Sequence, residues 1–224
     1  MYLEIACFNA ESALVAEKAG ADRIELCSGL EFGGLTPELD QVQYVMSNVH
    51  LPVFVMIRPR GGDFFYTNPE FEQMKASIIL LKSKGVSGFV FGILDENQQV
   101  DIVRNSELVQ LAVPSSCTFH RAFDRTPEAN FALAGVMNCG FQTILTSGHA
   151  QDAMQGANHL KKLIEVASGK IEIMPGGGVR SDNISFLIKM TGARYFHSSA
   201  LLKGETIADE SEIKILKKLL STHD

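Results

Sequence analysis

The sequence predicts an α/β fold: a single-domain (β/α)8 barrel over residues 1–224, on three observations. Eight short runs rich in β-branched and aromatic residues alternate with longer helical patterns. A small glycine phrase recurs where helices hand over to strands, and polar residues and glycines crowd the C-terminal ends of the strand-like runs. Strictly alternating β and α units favour a parallel sheet covered by helices, and eight such units favour closure into a barrel.

The strand-like runs are Tyr2–Phe8, Asp22–Cys27, Pro52–Arg58, Gly88–Leu94, Ser116–Phe123, Thr143–Ser147, Ile171–Pro175 and Arg194–Ser199. Helical patterns lie near 11–19, 37–48, 69–84, 101–112, 127–138, 151–167, 181–191 and 209–221, each bounded by Gly, Pro, Asn or Asp. The recurring phrase is Ala19-Gly20-Ala21-Asp22, Lys84-Gly85-Val86-Ser87, Asn138-Cys139-Gly140-Phe141 and Thr191-Gly192-Ala193-Arg194. Its glycine supplies the left-handed residue that stops a helix. No proline- or serine-rich linker divides the chain.

Composition narrows the function classes. With 46% hydrophobic and 21% charged residues the chain is too apolar for disorder. A net charge of −6 argues against a general nucleic-acid binder, which needs a basic face. No apolar run reaches the length of a membrane span, and the N-terminus carries no secretory pattern. Cys7, Cys27, Cys117 and Cys139 form no CxxC and no dense framework, so a reduced, cytoplasmic setting is expected.

In a barrel, chemistry belongs to the loops after the strands. The run Pro175-Gly176-Gly177-Gly178-Val179-Arg180, followed by His197-Ser198-Ser199, has the glycines that let backbone N–H groups converge on an anion. The plainer alternative is a tight turn that needs glycine only for its backbone angles. Arg58, at the end of the third strand, and Arg60, in the loop after it, are candidates for gripping a carboxylate or phosphate, against the alternative of a solvent-exposed basic loop or an ion pair with Asp63 or Glu25. Side chains on a strand alternate between faces. Glu4, Glu25, Arg58 and His120 are therefore read as a polar axis inside the barrel, serving chemistry or merely neutralising itself. His120, beside Arg121 and Asp124, and His197, at the end of the last strand, are candidates for proton transfer or substrate contact. The same parity puts Cys27 on the face of Glu25 but Cys7 on the face opposite Glu4. That weakens a soft-metal site built from the two, and buried cysteine is in any case common as a small apolar residue.

Together these runs resemble the CutC family, the copper homeostasis proteins. The resemblance is carried by Ala21-Asp22-Arg23-Ile24-Glu25-Leu26-Cys27, Gly33-Gly34-Leu35-Thr36-Pro37 and Met56-Ile57-Arg58-Pro59-Arg60-Gly61-Gly62-Asp63-Phe64. Further matching runs are Thr118-Phe119-His120-Arg121-Ala122-Phe123-Asp124, Ile144-Leu145-Thr146-Ser147-Gly148 and Ile173-Met174-Pro175-Gly176-Gly177-Gly178. The resemblance implies a cytoplasmic, homo-oligomeric barrel with a part in copper tolerance and Cu(I) as its metal, the suggested ligands corresponding to Cys7 and Cys27.

Two functions are therefore expected to compete. One is copper handling through Cys7 and Cys27. The other is an enzyme for a small phosphorylated or carboxylated metabolite. In it Arg58, Arg60, Gly176, Gly177, Gly178, His197 and Ser198 bind the anion, Glu25 or His120 moves protons, and Asp124 orients His120. Arginines and a glycine nest suit an anion better than a cation.

Overall fold

The structure is a computed structural model describing residues 1–222. Strands β1 (Tyr2–Cys7), β2 (Arg23–Leu26), β3 (Val53–Met56) and β4 (Gly88–Phe91) alternate with helices α1 (Ala10–Lys18), α2 (Leu39–Asn48), α3 (Asn68–Ser83) and α4 (Ile102–Ala112). The second half repeats the pattern with β5 (Ser116–Phe119), β6 (Thr143–Thr146), β7 (Glu172–Pro175) and β8 (Tyr195–Ser198). Its helices are α5 (Ala129–Cys139), α6 (Ala157–Ala167), α7 (Ile184–Thr191) and α8 (Glu210–Ser221). All eight strands are parallel and run in the order β7-β6-β5-β4-β3-β2-β1-β8. β7 and β8 pack side by side without a hydrogen-bonded ladder, so the barrel is nearly closed.

Local chemistry explains the boundaries. Asn9, Asp101 and Asp209 cap α1, α4 and α8 by accepting backbone N–H groups, and Thr67 with Glu70 forms a reciprocal capping box on α3. Gly140 and Gly192 end α5 and α7 in the left-handed conformation, as the recurring phrase requires. The helical pattern near 151–167 is shorter in the structure: residues 151–156 form turns, and α6 starts only at Ala157.

Parity then sorts the strands into two layers. Leu3, Ile5, Cys7, Ile24, Leu26, Val53, Val55, Phe89 and Phe91 face outward and form one large core with the helices. Cys27, Phe54, Met56 and Val90 form a separate small apolar cluster with Phe8, inside the barrel. The interior also carries charge. Glu4 is in register with Arg23 on one side and His197 on the other, so three charged or titratable groups occupy one level of the barrel.

The loop after β6 is held by a close backbone approach. A Cβ on Gly156 would stand 1.8 Å from the Ser147 carbonyl oxygen, an atom that cannot swing away. Gly156→Ala should therefore lower stability by about 1–3 kcal/mol or more through overpacking, seen as a lower midpoint in urea denaturation at unchanged slope. An unchanged midpoint would mean that this loop is not packed as described.

Candidate active site

The strand ends open into a cleft with about 710 Å³ of unfilled space, bordered by Glu25, Arg58, His120, Arg121, Arg180 and His197 among others. Glu25, Arg58 and His120 thus meet at one end of the barrel. Beneath them lies the ionic floor. Arg23 Nε donates to Glu4 Oε2 at 2.5 Å, and His197 Nδ1 lies 2.7 Å from Glu4 Oε1. Glu4 is fully buried and Arg23 nearly so, with the guanidinium stacked 4.1 Å from the Phe54 ring centre. Burial alone would raise the Glu4 pKa, but Arg23 and His197 outweigh it and hold the carboxylate below its usual range.

With Glu4 on Nδ1, the other nitrogen of His197 is directed to Glu25, 3.8 Å from Nε2 to Oε2. Burial opposes charge on His197, yet Glu25 and Glu4 together raise its pKa. Glu25 is pushed up to about 7, first by burial and then by Glu4, against the pull of His197 and Arg23. Its Oε1 is buried and accepts no hydrogen bond. The pair Glu25 and His197 can therefore hold a proton that is mobile near neutral pH.

Glu4, Glu25 and His197 also bring ligand-capable atoms within 4.8 Å of one another. Glu4, however, already spends one oxygen on Arg23 and the other on His197. The arrangement is that of a carboxylate orienting an imidazole, which suits proton handling better than a cation.

The cationic side of the cleft differs from expectation in one member. Arg58 is buried and lines the cleft, its guanidinium donating to the carbonyls of Phe32, Gly34 and Gly62 and lying over the Phe64 ring. It has no carboxylate partner. Arg60 does not join it. β3 ends at Met56, the chain turns, and Arg60 pairs with Glu70 at 2.6 Å and Asp63 at 2.9 Å while lying over Tyr66. Its charge is already satisfied outside the cleft.

Two arginines that the sequence reading passed over take that place. Arg121 lines the cleft from the 3-10 turn that follows β5, held by Asp124 at 2.8 Å and Ser147. Arg180 donates to the hydroxyls of Ser198 and Ser199 and to the Leu201 carbonyl, again with no carboxylate. Both arginines stand in runs singled out by their neighbours, Arg121 next to His120 and Arg180 two residues past the glycine run, and that adjacency was the available signal.

Among the described residues, the N–H groups of Gly177, Gly178 and Ser199 have no acceptor, whereas Gly176 N–H is used on the Thr146 carbonyl. Gly177 also needs to lack a side chain: its φ is +89°, and a Cβ would stand 2.9 Å from Arg121 Nη1. Because α7 begins only at Ile184, positive charge at this hollow comes from Arg180 rather than a helix end.

Asp124 is not a partner of His120. Its carboxylate accepts from Arg121, from the Thr146 hydroxyl and from the backbone N–H groups of Ser147 and His149, so it ties the loops after β5 and β6 together. Cys7 and Cys27 are both fully buried, but Cys7 lies in the outer core and Cys27 in the inner cluster. The Cys27 thiol is directed at the Cys7 carbonyl and the Cys7 thiol at Ile5. Burial, and then the nearby carboxylates, push both thiols well above their usual pKa. On opposite faces of the sheet and protonated, the two do not fit a site of two converging thiolates.

Comparison with known proteins decides the lineage. A sequence model of the CutC family matches residues 1–202. The chain belongs to the CutC family. A human relative, the copper homeostasis protein cutC homolog, is 46% identical over 198 residues, covering 88% of this chain and 72% of the human protein. A crystal structure of a CutC copper homeostasis protein from Streptococcus agalactiae superposes with a TM-score of 0.83 at 30% identity, covering 89% of this chain and 98% of that one. Phosphoribosylanthranilate isomerase from Pyrococcus furiosus has a TM-score of 0.67 at 15% identity over 99% of both chains. At that identity it bears only on the barrel fold.

Glu4→Ala in this CutC-family barrel would leave Arg23 buried and unpaired, and should cost about 3–5 kcal/mol in chemical denaturation. The milder Glu4→Gln should lower the pKa of His197, by loss of its charged partner, and that of Glu25, by loss of a neighbouring negative charge. NMR titration of the two side chains reads both shifts; unchanged midpoints would show that Glu4 does not govern them.

Proposed function

We propose that the chain is a barrel enzyme acting on a small phosphorylated or carboxylated metabolite, with Glu25 and His197 as its proton-transfer pair. One observation carries the reading: Glu25, whose buried Oε1 has no donor among the described residues, lines a cleft where Arg58 and Arg180 have no carboxylate partner among them. Arg58 is buried and Arg180 half-buried; a desolvated arginine without a counter-ion is costly, and an anionic ligand supplies that counter-ion. The anion is read to sit against Arg180, the N–H groups of Gly177 and Gly178 and the Ser199 backbone, with Arg121 closing over it. Arg58, from the opposite wall, adds charge that no pH change removes. Glu25 takes or returns a proton on the substrate, and its value near 7 matches that task at neutral pH.

The names of the relatives attach copper homeostasis to those proteins. For this chain the copper reading has one supporting observation. Cys27 and Met56 sit side by side, both within 4 Å of where a Gly34 Cβ would be, so one thiol and one thioether share a wall of the barrel. Cu(I) accepts such ligands. Against it stand the three arginines bordering the same cleft, which repel a cation.

Calorimetric titration with glycerol 3-phosphate separates the two readings. The wild type should bind it, Arg180→Ala should weaken binding by about 2–5 kcal/mol, and Cys7→Ser with Cys27→Ser should leave it unchanged. No binding to the wild type, together with stoichiometric Cu(I) uptake that both serine changes abolish, would replace the enzyme reading by the copper one. In a 13C NMR titration the Glu25 carboxyl should lose its proton near pH 7, being protonated below and charged above. A midpoint near 4.5 would remove it as a base tuned for neutral pH.

A further inference from the structure

His120 is the buried group that the proposed proton transfer leaves unused. It follows β5 and caps the short 3-10 turn Arg121–Arg125, its Nδ1 accepting the Ala122 N–H at 3.3 Å. An Nδ1 that accepts must carry no proton, so in the neutral ring the proton resides on Nε2. Nε2 is buried and has no partner among the described residues. The ring is held in place by Phe64, 4.8 Å away between ring centres, and by Phe119 at 6.1 Å. Gly92 leaves room for it, since a Cβ there would stand 2.8 Å from Nδ1. Burial, and then the charge of Arg58, push its pKa down to about 3, which keeps the ring neutral, as an accepting Nδ1 requires.

His120, which follows β5 and carries one unsatisfied donor, and Glu25 on β2, which carries one unsatisfied acceptor, are thus both residues of the same cleft wall. Buried polar groups are rarely left unpaired, and two of opposite kind around one space describe a ligand that offers an acceptor to one and a proton to the other. A carbonyl oxygen with an acidic C–H on the next carbon has that pattern. A neutral imidazole, its pKa lowered by its surroundings, is a known kind of donor to such an oxygen.

We propose that the substrate is a phosphorylated α-hydroxy carbonyl compound, that the His120 Nε2–H holds its carbonyl oxygen, and that Glu25 moves the proton on the adjacent carbon. The proposal rests on the anion grip and on the role of Glu25 given above. In the forward step the Glu25 carboxylate takes the proton from the hydroxyl-bearing carbon. The electron pair of the broken C–H bond forms a C=C bond, and the carbonyl π pair moves onto oxygen, giving an enediolate hydrogen-bonded to Nε2–H. Proton return from the Glu25 carboxylic acid to the same carbon restores the substrate. Return to the other carbon, with the hydroxyl proton passing between the two oxygens, gives its isomer. No electrons enter or leave.

The test compares two probes on the full chain by calorimetry. Glycerol 3-phosphate carries the phosphate on tetrahedral carbons; phosphoglycolohydroxamate carries it next to a planar, enediolate-like group. The wild type should bind the hydroxamate at least tenfold more tightly. His120→Phe, which keeps a ring but removes the donor, should bring the two within twofold while retaining glycerol 3-phosphate. Independently, 15N NMR of the wild type should show His120 as the neutral Nε2–H tautomer from pH 5 to 8, with that proton moving downfield when the hydroxamate is added. Glycerol 3-phosphate binding with no hydroxamate preference, or a preference that survives His120→Phe, would overturn this proposal and leave the anion grip standing. So would an Nδ1–H tautomer or protonation above pH 5. Failure of both probes to bind would remove the anion grip and this proposal together.

Discussion

Glu4 is the constraint on which the site depends. Register alone places it between Arg23 and His197, and burial alone would drive it to take up a proton. It stays charged because Arg23 is clamped to one oxygen and His197 to the other. That single fixed charge has three consequences. It holds the His197 ring by Nδ1, it favours a proton on that imidazole, and it makes a second charge on Glu25 unfavourable. The value near 7 at Glu25 comes first from its own burial, and Glu4, level with Arg23 two residues before it, adds to that. Ion pairs of this kind add little net stability over well-packed apolar residues. The interior of this barrel is accordingly better understood as an arrangement for setting proton affinities than as a source of stability.

The same floor determines what the thiols can be. Cys27 shares its side of the sheet with Glu25, and Cys7 sits one strand away with its back to the barrel. A thiolate at either place would add negative charge to a region that already keeps one carboxylate charged and a second on the edge of protonation. Removal from water and the two glutamates act in the same direction on both sulfurs, which therefore remain thiols.

Much of this was legible in the chain. Eight alternating units predicted the barrel because each strand must be buried on both faces and each helix on one. Period-two alternation placed Glu4, Glu25, Arg58 and His120 on one axis and separated Cys7 from Cys27, since a strand offers no other choice. The misreadings share a cause. Arg60 was paired with Arg58 as one anion grip, but Asp63 and Glu70, the latter required by the α3 capping box, hold Arg60 outward. Asp124 was given to the adjacent His120, although its carboxylate is taken by Arg121 and the loop after β6. Loop side chains answer to partners distant in sequence, which spacing does not reveal. Arg23 was a different kind of omission, because the parity that selected Glu25 selects the residue two before it as well.

The cleft is polarised by these placements. Its floor carries Glu25 and His197 over the buried Glu4 carboxylate, and its rim carries Arg58, Arg121 and Arg180. Floor and rim are not paired with each other: Arg23 and His197 answer the floor, while backbone carbonyls, serine hydroxyls and Asp124 hold the rim. If the arginines had collapsed onto Glu25, the result would have been a neutral plug with an ordinary carboxylate. Keeping them apart preserves two incomplete halves, an anion site lacking its anion and a base lacking its acid, and one small molecule with an anionic end and an acidic C–H completes both. Glycine serves the hollow through its backbone: position 177 has a φ of +89°, which L side chains rarely adopt, and that angle leaves its N–H available to an anion.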